Sequence, residues 1–442
     1  MCENILSKKE NYEKMKRFMK RALSLMLAVL TVFSVTAFAF AEDSQTAAES
    51  VAFTDDDFLT AKGMKLYNRK GEEVLLKGVN LGSWLIWEDW LSPYDGVEAK
   101  NEKGQTDHMQ VIDKLTERFG VEKAYELLDT YMDNWITEYD LDEIKSLGFN
   151  SVRVPFWFRN FYYDDNGTKI LDKDGNWDFH RLDWVVEECS KRGLYVVLDM
   201  HGAVGFQSDA PHNGQIGGCG LYDKTEQGER YRELTDELWA AIATRFNGNP
   251  AVAMYDLLNE PMCDVNCTEV KRRINNESIY TRLYDTVRTV DSDHIITVEC
   301  IWTAAALPHA WVKGWKNVVY QVHFYQNSDF IFTLFCYLTK MYHFGVPMMM
   351  GEFYPHKKTT WSNCFKTMNN LNFSWFLWTY KAANHGMWDS DWCLRGMKDG
   401  FERANVSEDS YEEIARKWGS VLRTENSFQD TGHFDRDVKA YL

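Results

Sequence analysis

Basic side chains are scarce relative to acidic ones: 49 Lys and Arg stand against 66 Asp and Glu, a net charge of −17 at pH 7. A surface of that sign disfavours nucleic acid and anionic membranes and suits a neutral substrate. Beyond residue 41 no apolar run is long enough to span a bilayer, so no membrane association is expected of that part. The sequence has no Gly-rich phosphate cradle and no redox motif, so no cofactor is expected. Cys263 and Cys267 lie close enough to pair locally, but no second Cys/His pair stands at ligand spacing, so no metal site is expected. Eight of the nine cysteines follow residue 41, an even number compatible with export, and their pairing is left open. No linker or internal repeat divides the chain.

What is present begins with a targeting pattern. Lys16, Arg17, Lys20 and Arg21 precede an apolar run from Ala22 to Phe40, which ends in Ala39-Phe40-Ala41. A basic region, an apolar region and a small-x-small end predict a cleavable signal peptide over 1–41, cut after Ala41, and hence a secreted protein. Residues 1–41 hold seven basic and three acidic side chains, so their removal deepens the net charge from −17 to −21. Residues 42–60 read as a flexible mature N-terminus, and 61–442 as a single domain.

Lys65–Leu76 reads as a hairpin around Asn68-Arg69-Lys70-Gly71. Short apolar runs then alternate with longer helical patterns. The strand candidates are 75–80, 151–155, 194–200, 252–259, 295–299, 318–323, 348–352 and 374–378, mostly apolar throughout, as parallel strands buried on both faces should be. Helical stretches fall at 121–147, 179–191, 229–246 and 278–290, and Gly193 supplies a helix stop. Eight strand–helix alternations predict one α/β fold, a (β/α)₈ barrel with an N-terminal hairpin and loop insertions at its C-terminal face. Residues 381–400 read as the long loop after the last strand.

In such a barrel, chemistry gathers where the strands end. Arg153, Asp199, His201, Asn259, Glu260, Glu299, His323, Tyr325, Glu352 and Trp378 all stand at or just beyond predicted strand ends. Singly each could be structural; from so many strands at one mouth, they point to a site. Glu260 and Glu352 leave the fourth and seventh strands, which face each other. Two carboxyls flanking one bond are what glycoside hydrolysis requires, and a separation of ~5–5.5 Å gives retention through a covalent intermediate. Arg153 is expected to favour the anion at Glu352, and that negative neighbour to raise the proton affinity of Glu260. The 17 Trp, 22 Tyr and 26 Phe leave aromatic surface to stack on sugar faces. His180, His294 and His433 read as ordinary surface or loop residues.

Leu258-Asn259-Glu260-Pro261 and Gly351-Glu352-Phe353 resemble the two catalytic signatures of glycoside hydrolase family 5. Arg153 in Val152-Arg153-Val154-Pro155, His201 in Leu198-Asp199-Met200-His201-Gly202, His323-Phe324-Tyr325 and Trp378 match further family positions in chain order, over about Lys77 to Lys381. The resemblance implies Glu260 as acid/base and Glu352 as nucleophile. It implies Asn259 on the sugar 2-hydroxyl, Arg153 and Tyr325 on the nucleophile, His323 near the acid/base, His201 on substrate hydroxyls and Trp378 as the floor. Asp199 and Glu299 match nothing catalytic.

Within the family the chain looks closest to the exo-β-1,3-glucanase branch. Gly78-Val79-Asn80-Leu81-Gly82-Ser83-Trp84 resembles the branch's opening motif, which usually has Gly where Ser83 stands. Glu88 falls where that branch binds the non-reducing glucose, and His201-Gly202-Ala203-Val204-Gly205-Phe206-Gln207 resembles a further loop. The 207–221 loop, with Gly217-Gly218-Cys219-Gly220, and the segment between His323 and Glu352 depart from it. The expectation is a secreted, monomeric, retaining β-glycosidase acting on β-glucan, exo-β-1,3 in preference. An endo-β-1,4-glucanase and a non-catalytic carbohydrate-binding barrel are the alternatives.

Overall fold

The structure, a computed structural model, describes residues 52–442 apart from 264–266, 302, 326–327, 356–359 and 384–392. The expected signal peptide and residues 42–51 lie outside the described residues. Eight strands form the closed barrel: β1 (Lys77–Asn80), β2 (Ser151–Trp157), β3 (Tyr195–Gly202), β4 (Val252–Asp256), β5 (Ile295–Glu299), β6 (Val318–Phe324), β7 (Met348–Phe353) and β8 (Phe373–Leu377). They pair in chain order, all parallel, and β8 closes on β1 through Trp375–Lys77, Phe376–Gly78 and Leu377–Val79. Nearly every strand residue is buried, which is why the sequence runs are apolar without alternation.

Helices cover the outside. Among them are α1 (His108–Phe119), α2 (Val121–Trp135), α3 (Glu138–Ser146), α4 (His180–Arg192), α5 (Glu226–Phe246), α6 (Glu269–Arg288), α7 (Ala310–Lys313), α8 (Asp329–Tyr342) and α9 (Trp361–Leu371). Gly193 ends α4 in the left-handed conformation, φ 62°, as its position predicted. The stretch read as one helix over 121–147 is two. Ile136 is extended, and the Thr137 N–H donates to Asp140 Oδ2 at 2.7 Å, a capping box that starts α3 afresh.

The hairpin pairs Leu66 with Val74 and Tyr67 with Glu73, and Thr60–Lys62 adds a third strand. Leu59 and Leu66 pack with Tyr195, Ala253, Ile295, Val319 and Met349 from the first half of their strands, so this small sheet plugs the barrel bottom. Residues 52–60, expected to be flexible, are therefore held, with Phe58 and Leu59 buried. Burial of two apolar side chains outweighs the polar composition around them. Beyond β8, Lys381–Ala382 and Arg395–Met397 build a second small sheet with Phe428–Asp430. His294 and His433 are buried rather than superficial, and His294 Nδ1 lies 2.6 Å from Asp291.

Candidate active site

The barrel brings the strand-end residues to one mouth. β4 ends at Asp256, earlier than the expected Asn259, and beyond it the chain keeps one bond to β3, the Asn259 N–H donating to Met200 O at 3.0 Å. Asn259 and Glu260 thus stand on the exit from β4, and Glu260 adopts φ 36°, which side chains other than glycine seldom take. His323 pairs in register with Glu352 across β6 and β7 at a bulge after Val322. Gly351 precedes Glu352 because any side chain there would meet Gln321 Oε1 at 1.7 Å and His323 Nε2 at 2.7 Å.

Arg153 is the hub, fully buried. Its Nη1 donates to Glu352 Oε1 at 3.0 Å and Asn80 Oδ1 at 3.1 Å, its Nη2 to Asn259 Oδ1 at 2.8 Å, and its Nε to Asp256 Oδ2 at 2.9 Å. Asp199 Oδ1 lies 3.1 Å away as well. Burial opposes the guanidinium's charge, but Asp199, Asp256 and Glu352 together raise its proton affinity. Tyr325 donates to the other oxygen of Glu352 at 2.5 Å. A guanidinium and a phenol therefore fix both oxygens of that carboxylate.

His323 joins the two carboxyls. Its Nδ1 lies 2.9 Å from Glu260 Oε1 and 3.6 Å from Glu352 Oε2. Those oxygens cannot be further apart than the sum of the two distances, so they do not exceed the low end of the ~6.5–9.5 Å range that leaves room for an attacking water. Burial lowers the His323 pKa to about 4, which leaves the ring neutral at neutral pH. Burial also raises the pKa of Glu260, against the pull of His212 and Arg153. The expected shift is there, with burial rather than the neighbouring anion as its leading cause.

His201 Nδ1 lies 2.6 Å from Asp199 Oδ2, and its Nε2 lies 3.2 Å from Asn259 Nδ2. Burial lowers its pKa to about 3, so the neutral ring donates to Asp199 and accepts from Asn259. Trp378 stacks on that imidazole at 5.6 Å and 7°. Glu88 accepts from Trp90 Nε1 at 2.8 Å; burial pushes its pKa up to about 8, and the charges of Glu352 and Glu260 add to the rise. Ser83, on the same loop, holds φ 56°, a left-handed conformation that glycine adopts more readily than serine.

The structure therefore gathers Glu260, Glu352, Arg153, His323, Tyr325, Asn259, His201 and Trp378 into one connected group, with Glu88 facing it through the field of both carboxylates. The sequence reading missed several neighbours. His212 Nδ1 lies 3.8 Å from Glu260 Oε2. Asp256 accepts from Gln321 Nε2 at 2.8 and 2.9 Å. Gln207 Nε2 ties His201 O to Asn259 O at 2.7 and 2.9 Å. Glu260, Glu299 and His323 bring three ligand-type atoms within 4.8 Å of one another, a grouping that spacing along the chain does not reveal because they come from three strands.

A closed eight-stranded barrel with two carboxyls meeting at one imidazole defines the class of barrel glycoside hydrolases. A family model described as cellulase (glycosyl hydrolase family 5) matches residues 112–384, more than half of the sequence, and the chain belongs to that family. It is 29% identical over 276 residues to a beta-xylosidase of Phanerodontia chrysosporium, covering 62% of this chain and 53% of that protein. It is 27% identical over 266 residues to a glucan 1,3-beta-glucosidase of Candida oleophila, covering 58% and 59%. The alignments thus span little more than half the length of these two relatives. In fold it is similar to the rutinosidase from Aspergillus niger, with a TM-score of 0.54 and 15% identity over 77% of this chain and 97% of that one.

Proposed function

We propose that the chain is a retaining β-glycosidase acting on β-glucan, with Glu352 as nucleophile and Glu260 as acid/base. The observation that carries the reading is the meeting of both carboxyls at His323 Nδ1. In the first step a Glu352 oxygen attacks the anomeric carbon and the glycosidic C–O bond breaks as Glu260 passes its proton to the leaving oxygen. In the second, Glu260 takes a proton from water, whose oxygen attacks the same carbon and releases Glu352. Arg153 and Tyr325 orient the attacking carboxylate. Asn259 and His201 bind sugar hydroxyls, Trp378 stacks beneath the ring, and Glu88, largely protonated near neutral pH, offers a hydrogen bond to the terminal sugar.

Within this reading the preferred substrate is a β-1,3-glucan attacked from its non-reducing end, supported by the Glu88 position and by the similarity to a glucan 1,3-beta-glucosidase. The mature protein begins after Ala41, is secreted and acts as a monomer. The test is product release from laminarin by residues 42–442, with Glu352→Gln alongside. Early glucose alone, absent in the variant, supports the reading. Mixed oligosaccharides, or turnover only of a β-1,4-glucan, move the substrate to an endo-glucanase assignment. No turnover of any β-glycoside removes the enzymatic reading.

A further inference from the structure

Glu299 ends β5 fully buried, and the mechanism above does not use it. Its Oε2 accepts the backbone N–H of Glu260 at 2.6 Å. Its own N–H donates to the Tyr280 hydroxyl at 3.0 Å, and that hydroxyl donates to Leu258 O at 2.8 Å, just before Glu260. α6 and β5 thereby grip the exit from β4 on both sides of Asn259. The grip coincides with the strained φ of 36° at Glu260, a conformation that persists only where its surroundings impose it. The other oxygen, Oε1, is buried without a hydrogen-bond partner among the described residues and lies 3.4 Å from His323 Nδ1, the atom that also meets Glu260 Oε1. One side chain thus holds the backbone of Glu260 and faces the ring that touches its carboxyl.

We infer that Glu299 is a positioning residue for Glu260, holding its backbone through Oε2 beside the His323 ring, so that the Glu260 carboxyl is aimed at the leaving oxygen. The inference rests on the reading of Glu260 as acid/base. Burial, with the charge of Glu260 adding, holds Glu299 well above the usual carboxylate range. The groups that face it are Glu260 and Asp256 from β4 and its exit, Arg153 from β2, His323 from β6 and Tyr280 from α6, with Cys300 next along its own chain. Only Arg153 among them is a cation at neutral pH, and it is already committed to other carboxylates.

The test compares Glu299→Ala, Glu299→Gln and Glu299→Asp with Glu260→Ala on two aryl β-glucosides. One carries 2,4-dinitrophenolate, which leaves without a proton; the other carries 4-methoxyphenolate, which needs one. Glu299→Ala is expected to lower kcat/KM, which reports the first step alone, on the methoxyphenyl substrate by about 100-fold, the usual worth of a positioned general acid, with only a small loss of kcat/KM on the dinitrophenyl substrate. Glu299→Gln keeps an acceptor for the Glu260 N–H and should restore most of the rate and the parent's pH profile. Glu299→Asp, too short to reach, should behave like the alanine variant, and it carries the test if the alanine variant fails to fold. Equal losses on both substrates, or a glutamine variant no better than alanine, would overturn the positioning role. If Glu260→Ala itself fails to distinguish the two leaving groups and azide does not rescue it, the acid/base reading fails, independently of Glu299.

Discussion

Arg153 and Glu352, 199 positions apart in the chain, meet at 3.0 Å in the buried centre of the barrel mouth. The guanidinium that orients this carboxylate also faces Asp199 and Asp256, so it belongs to the fold as much as to the site. Arg153→Met would leave these carboxyls buried without their cation, a change that costs about 3–5 kcal/mol. Urea unfolding should show that loss together with near-complete loss of activity. Arg153→Lys should rescue neither fully, because an ammonium cannot reproduce the fork of contacts.

Tyr325 makes a narrower prediction. Its hydroxyl reaches Glu352 Oε2 at 2.5 Å, and Tyr325→Phe removes that donor while leaving the ring. The expected result is a fall in kcat of about 100-fold with KM little changed, on the scale of deleting one donor at a reacting carboxylate. Steady-state kinetics on an aryl β-glucoside checks it.

The pH dependence of the rate follows from Glu260. In the proposed mechanism cleavage needs its protonated form, and burial raises its pKa above the ordinary range. As pH climbs through that raised value the proton is lost, so kcat/KM should fall on the alkaline side. The fall should shrink on a 2,4-dinitrophenyl glycoside, whose departure needs no proton, and vanish in Glu260→Ala.

Glu88 offers a test of stability rather than rate. Burial raises its pKa to about 8, against ~4.3 in an unfolded chain. Between those values the folded protein holds a proton that the unfolded chain has released, so stability falls as pH rises through the window. Glu88→Gln cannot ionise. Its thermal midpoint relative to the parent should therefore improve steadily from pH 4.5 to 8. A pH-independent difference would mean that Glu88 is not held protonated.

The barrel was legible in the sequence because buried parallel strands are apolar at every position, and eight such runs alternating with helical periods admit few architectures. The carboxyl pair and most of its attendants were legible because they stand near or just past strand ends, although Arg153 is third in β2 and Asn259 and Glu260 lie beyond the end of β4. The split between α2 and α3 was not read, since Thr137 and Asp140 form their capping box inside a continuous helical period. The link from Glu299 to Glu260 was hidden for a deeper reason. It ends on a backbone N–H, which any residue carries, and it depends on a φ that no residue letter encodes. Likewise Gln321 and Asp256 lie 65 positions apart and meet only because β4 and β6 line one barrel.

The central claim is that Glu352 forms a covalent bond to the sugar while Glu260 manages the proton. The most direct measurement is to incubate the protein with 2,4-dinitrophenyl 2-deoxy-2-fluoro-β-glucoside, digest it and locate the label by mass spectrometry. The account predicts one fluoroglucosyl group per chain, on the peptide containing Glu352, and no such adduct in Glu352→Gln. A label on another residue, or an active enzyme that releases the inverted anomer and never accumulates an adduct, would contradict it.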